Sequence, residues 1–393
     1  MAIVIVTVFV ASTSQGQAPE SSSSQPIESR SLHMLVLGDS IMWGQGLRKE
    51  YKFWWRVKGW LREKTGREVL EKIAAHSGAV IGTIEGQQRF FASNDGEVNL
   101  ETPTVNEQLD DAIKYYADPS SVDLILVNGC INDVGARVLL NASTSVDLLG
   151  REIKEKCGGR MQSLLGRITS AFPNAQVVVT GYYRIFSPQS ANNTFTRLLV
   201  KKLNSQNPEA RPMTDRQMSD RLITISEEWY RVSTRSLADA VEAENRELQR
   251  RSSKQKILFA EIEFSPEHAF SAPDTLLWNF KFGSTNLSGL RKAIVVLTLG
   301  TAAYKPNDQV RDSRSKSCKE TYKAPRNSKD ESEAEKQRRE ISLLACRYAS
   351  LGHPNKMGAL IYAEAIKGQL RLLISANAWL RRPAAPPQPV PAN

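Results

Sequence analysis

Residues 33–47 read HMLVLGDSIMWGQGL. An apolar run, Met34 to Leu37, stops at Gly38-Asp39-Ser40, and further glycines follow at 44 and 46. A short apolar run closed by turn residues reads as a strand covered on both faces. Ser40 then stands where a strand hands over to a loop. Whether it is a nucleophile or one more polar turn residue depends on what the rest of the chain brings to the same edge.

Working outward, REVLEKIAAHSG (67–78) reads as a second strand running into a loop, and VDLILVNG (122–129) as a third. AQVVVTGYY (175–183) and KILFAEIEF (256–264) follow as a fourth and a fifth. Helical patterns lie between them: 47–66, 104–118, 150–172, a long stretch from about Asp215 to Arg251, and a last helix at 355–380. In the first helix Phe53, Trp54, Val57, Trp60 and Leu61 recur at helical spacing. They read as a core-facing stripe rather than a sugar-stacking platform. Thr104 with Glu107 three residues on forms a capping box. Such alternation calls for a parallel sheet with helices on both faces, which carries its site at the carboxyl ends of the strands. One segment, about 265–339, breaks the alternation and reads as an insertion: a lid or rim on the site, or surface decoration.

The 393 residues are 41% hydrophobic and 24% charged, an ordinary globular composition. The net charge is +10, but basic and acidic residues are interspersed, as in DSRSKSCKETYKAPRNSKDESEAEKQRRE. That pattern reads as a solvated surface, with no nucleic-acid motif. The apolar run at the N-terminus is too short to span a bilayer. It has the length of a secretory signal core, with Gly16-Gln17-Ala18 as a cleavage site but no basic residues before it. Residues 1–31 are therefore expected to be a signal segment and linker, 32–376 the folded domain, and 377–393 a Pro-rich disordered tail. Asn141, Asn192 and Asn286 lie in glycosylation sequons. The four cysteines lack zinc-ligand spacing. In an exported chain they suggest two disulfides, with three ways to pair them.

The company around Ser40 gives it weight. SGAVIG, with Gly78, follows the second strand, and CIND, with Asn132, follows the third. LGHPN, with His353, comes just before the last helix. A serine hydroxyl needs a base to take its proton, and histidine is the usual one. Attack on a carbonyl needs donors already aimed at the developing oxyanion. The main-chain N–H groups of Ser40 and Gly78 and the Asn132 amide are suitable donors.

With these four blocks in order, the chain resembles the SGNH hydrolases, the GDSL-type esterases and lipases. The resemblance runs from about His33 to Leu373, apart from the insertion. It implies a flavodoxin-like three-layer α/β/α sandwich around a parallel sheet of about five strands. It also implies hydrolysis of a carboxylic ester through an acyl-enzyme, without cofactor or metal. Carried over, Ser40 is nucleophile and first oxyanion donor, Gly78 and Asn132 are the other donors, and His353 is the base. An acyl lipid, an acetylated sugar or another short-chain ester is the expected partner, in a secreted or periplasmic setting without membrane insertion or nucleic acid. The oligomeric state is left open. An acyltransferase, or a binding module that kept the fold and lost activity, is the alternative.

Two positions depart from the family pattern. Cys130 stands where the third block usually has Gly. Ser350 stands where an Asp usually lies three residues before the catalytic His. His353 is therefore expected to be oriented by a main-chain carbonyl or by Ser350, with no acid in its place; a relocated acid, Asp274, is the competing expectation. Asp39 is expected to shape its turn, and His76 and His268 to be structural or exposed. Cys130–Cys157 and Cys318–Cys346 are the expected disulfides, each closing a loop beside a catalytic block.

Overall fold

A computed structural model describes residues 30–82, 103–190, 213–281, 305–324 and 331–375. The N-terminal segment, the Pro-rich tail and the sequons at Asn192 and Asn286 lie outside the described residues.

Five parallel strands form one sheet: β1 (Leu32–Leu37), β2 (Val69–Ile73), β3 (Val122–Val127), β4 (Gln176–Thr180) and β5 (Ile257–Ala260), in the order β2-β1-β3-β4-β5. Every residue of β3 and β4 is buried, which is why these strands are mostly apolar and do not alternate, with Asp123, Gln176 and Thr180 as the buried polar exceptions. On one face α2 (Phe53–Thr65) packs against α11 (Lys356–Ser375). On the other lie α3 (Val105–Tyr115), α7 (Arg160–Ala171) and the long α8 (Asp215–Arg250). The strand order reverses between β1 and β3, so a crevice opens at their carboxyl ends. The loops carrying Ser40 and Asn132 flank it.

The stripe Phe53, Trp54, Val57, Trp60 and Leu61 is buried, as its spacing predicts. The helix is shorter than the pattern suggests. Lys49–Tyr51 is a 3-10 turn, and Lys52 is extended at ψ 138°. Lys52 is buried with its ammonium 3.5 Å from the Trp43 ring centroid, a cation–π contact that a helical backbone running through from Leu47 would have to place elsewhere. Thr104 and Glu107 form the capping box.

After β3 come two single turns, α4 (Ile131–Val134) and α5 (Ala136–Leu139). Then α6 (Val146–Ile153) runs into α7 through a wide π turn at Lys154–Gly159, which carries Cys157 to a disulfide with Cys130. Cys130 has φ +123°, a backbone that favours glycine. The cross-link holds it there.

The insertion contains a two-stranded ribbon, β6 (Phe280–Lys281) with β7 (Lys305–Pro306), and two helices, α9 (Arg311–Thr321) and α10 (Glu333–Arg347). Its apolar run at 293–304 lies outside the described residues. The second helix continues past the expected end of the insertion to Arg347, so the departure from alternation lasts almost to His353. The Cys318–Cys346 disulfide staples α9 to α10 inside a small separate core with Tyr322, Leu343 and Ala349.

The Cys130–Cys157 loop spans 27 residues, and Cys157→Ser is expected to cost about 3–4 kcal/mol in denaturant unfolding. Adding Cys130→Gly should return about 1–3 kcal/mol of that, because glycine adopts φ +123° without strain. A double variant no more stable than Cys157→Ser would show that residue 130 is unstrained.

Candidate active site

The loop after β1 is built around two residues. Gly38 has φ +143°, and a Cβ there would lie 2.0 Å from Asn128 Oδ1, so only glycine fits. Asp39 caps the single turn α1 (Ser40–Trp43) by accepting from Ile41 N at 2.8 Å. It has no exposed surface, and it also accepts from Asn128 Nδ2 at 2.9 Å and Tyr182 Oη at 2.7 Å. Burial raises its pKa, and the bonds from Tyr182, Asn128 and Ile41 oppose the rise. Asp39 shapes the turn that presents Ser40.

Hydrogen bonds lace the neighbouring loops to this one. His76 N donates to Gly38 O at 2.9 Å, and Ser77 Oγ to Gln45 Oε1 at 3.1 Å. Gln108 Oε1 accepts from Gly38 N, and its Nε2 donates to Gly38 O. The loops after β2 and β3 are joined in turn. Asn132 Nδ2 donates to Ala79 O at 3.0 Å. The Asp133 carboxylate accepts from Ile81 N, Gly82 N and Arg160 Nη1 at 2.9, 3.1 and 2.7 Å. Gly78 has φ +81°, and its N–H and that of Ser40 make no hydrogen bond among the described residues. An amide has two hydrogens, and Asn132 gives one of them to Ala79.

His353 comes from the far end of the chain. Its Nε2 lies 2.7 Å from Ser40 Oγ, across 313 residues of sequence. Its loop is held by Trp278 N donating to His353 O at 2.7 Å, Gly352 N donating to Trp278 O at 3.0 Å, and Tyr183 Oη donating to Gly352 O at 2.6 Å. The residue keeps some exposed surface, but Nδ1 is sealed from solvent with no hydrogen-bond partner among the described residues. Burial pushes its pKa down to about 4, against the Leu351 and Ser350 main chain, which raises it.

No carboxylate reaches His353 among the described residues, and Asp274 is exposed. Ser350 does not orient the imidazole through its hydroxyl, contrary to one expectation. That hydroxyl donates to Asp308 Oδ2 at 2.7 Å and accepts from Arg314 Nη2 at 3.0 Å. His76 and His268 bond within their own loops, to Ser77 O and Ser265 Oγ. No cluster suited to a metal ion occurs among the described residues.

Sequence reasoning missed Asn128, Tyr182, Asp308 and Arg314. A signal existed for two of them. Asn128 is the first polar residue after the apolar run of β3, and Tyr182 follows β4 after a glycine.

The GDSL-like Lipase/Acylhydrolase family matches residues 36–252, more than half of the chain. The chain belongs to this family. It is a carboxylic ester hydrolase, with the five-stranded parallel sheet and the three layers that the sequence led us to expect. Among solved structures, this GDSL-like hydrolase is similar to an extracellular lipase from Streptomyces rimosus (15% identity, 69% of this chain and 100% of that one, TM-score 0.37). It is also similar to a phospholipase A1 from Streptomyces albidoflavus (15%, 69% and 100%, 0.36) and an aryl esterase from M. smegmatis (11%, 58% and 84%, 0.30). No curated protein matches the sequence at a significant level.

In this GDSL-like hydrolase Gly38→Ala is expected to displace Asn128 and with it the Asp39 turn. Backbone strain alone should cost about 1–3 kcal/mol. Melting temperature and ester hydrolysis should fall together; a wild-type melting curve with full activity would show that the turn tolerates a side chain.

Proposed function

We propose that the protein hydrolyses carboxylic esters through an acyl-enzyme on Ser40. The observation that carries this reading is the 2.7 Å contact between His353 Nε2 and Ser40 Oγ. With Nε2 as acceptor, the neutral imidazole carries its proton on Nδ1. Nε2 takes the Ser40 proton as Oγ attacks the ester carbonyl carbon. Negative charge moves to the carbonyl oxygen, where the N–H groups of Ser40 and Gly78 and the second Asn132 amide hydrogen stabilise it. The intermediate collapses, the C–O bond to the alcohol breaks, and the imidazolium gives the leaving oxygen its proton. Water then repeats the attack on the acyl-enzyme with His353 as base, and the acid leaves.

The substrate class we propose is an acyl lipid, an acetylated sugar or another short-chain ester. We favour no polyanion as partner. Along α8, Arg231, Arg235, Arg246 and Arg251 each pair with an acid one turn away, which leaves little concentrated positive charge. No described helix is long and apolar enough to cross a membrane. Two disulfides suit an oxidising compartment, which favours export.

A fluorophosphonate probe should label the wild type on Ser40 and leave Ser40→Ala unlabelled, and the variant should lose turnover of p-nitrophenyl esters. Equal labelling of both proteins would overturn the reading. A graded series of chain lengths would then select among the ester classes.

Only neutral His353 can accept the Ser40 proton. Its pKa is lowered to about 4, so kcat/KM should stay level from neutral pH downward and fall as pH drops through that value. A pH–rate profile whose acid limb lies near 6.5 would contradict the burial of this imidazole.

A further inference from the structure

We propose that Asp308 and Arg314, both supplied by the insertion, are positioning residues. As a buried ion pair bonded to Ser350, they fix the loop that carries His353 against Ser40. The inference rests on the reading of Ser40 and His353 as nucleophile and base.

The pair is bidentate, with Arg314 Nη1 to Asp308 Oδ1 at 2.9 Å and Nη2 to Oδ2 at 2.6 Å. Neither side chain has exposed surface. Both bond the Ser350 hydroxyl, and Ser350 is itself fully buried. Ser350 O accepts from His353 N at 3.0 Å, so the two residues share one turn. The remaining reach of Arg314 goes to Arg347 O, at 3.4 Å.

The same stretch of the insertion grips the nucleophile's loop. Gln309 N donates to Gly46 O at 3.0 Å, and Arg48 N to Gln309 Oε1 at 3.2 Å. Gly46 runs so close beneath the His353 loop that a Cβ there would lie 3.0 Å from Ser350 Cβ. The segment around Asp308 therefore touches both halves of the Ser–His pair and sets their separation. Arg314 lies one turn before Cys318, and Ser350 four residues after Cys346, so the disulfide holds the guanidinium over the hydroxyl.

Burying two charges is a poor way merely to stabilise a fold, since apolar residues of similar volume do as well or better. A bidentate pair does fix geometry. The position Ser350 occupies is the one where the family usually has an acid. Here the carboxylate arrives one hydroxyl further back and carries its own counterion. His353 thus receives placement without a net charge beside it.

The titratable and charged groups around His353 are Asp39 behind Ser40, Tyr183 on Gly352 O, and the Asp308–Arg314 pair. Asp308 raises the His353 pKa and Arg314 lowers it. Removing one partner should therefore move the acid limb of kcat/KM, and the two removals should move it in opposite directions. Asp308→Asn should shift it down and Arg314→Met up. The double variant leaves no unpaired buried charge, so it should fold, return the limb close to wild type, and lower kcat at least tenfold with KM within about twofold. Ser350→Ala cuts the link while leaving the ions paired, and should lower kcat several-fold with KM unchanged. Fold is read by circular dichroism. If the single variants do not fold, the double variant and Ser350→Ala carry the test. Wild-type kcat in both would overturn the proposal and leave the pair a structural feature only. Failure of the underlying reading would look different: the wild type itself would resist fluorophosphonate labelling.

Discussion

A carboxylate without exposed surface must have its oxygens hydrogen-bonded, and Asp39 meets that demand from three strand ends at once. Its partners come from its own turn after β1, from Asn128 after β3 and from Tyr182 after β4. Strands that are apolar on both faces offer such a group nothing along their length. The carboxyl edge of the sheet, where polar loops begin, satisfies it. Fixing Asp39 therefore fixes how three loops meet, and Ser40, the next residue, inherits that geometry.

The rest of the edge is organised in the same way. Asp133 draws in two main-chain N–H groups of the loop after β2, and Gln108 clasps both the N–H and the carbonyl of Gly38. Among the described residues the N–H groups of Ser40 and Gly78 make no hydrogen bond, while the polar side chains beside them have found partners. On the proposed mechanism those free donors are what the engaged polar groups leave for an oxyanion.

The sheet and the four blocks were legible because burial writes them plainly. A strand covered on both sides is an apolar run, and a loop at its carboxyl end begins with Gly, Asn or Asp. Ser40 and Asn132 stand just beyond such boundaries, Gly78 a few residues further along its loop, and His353 just before the last described helix. The ion pair was not legible. Asp308 and Arg314 sit in KPNDQVRDSRSKSCKE, where six other charged residues surround them, and nothing in such a run separates a buried charge from a solvated one. The shortened α2 was hidden too, because Lys52 fits a helical pattern as well as it fits an aromatic pocket. The π turn had no signature beyond a cysteine that needed to face inward.

Ser40 follows the first strand of the sheet and His353 precedes its last described covering helix, with the other four strands of that sheet encoded between them. On the proposed mechanism, synthesis therefore brings out the nucleophile's strand early and the base late. Nearly the whole domain must be in place before proton transfer between them is geometrically available, and so many distant contacts make for slow folding. Incomplete chains carry a serine without its base. If Ser40 and His353 act as proposed, that order keeps reactivity silent until the fold is whole, and turnover becomes a direct report on completion.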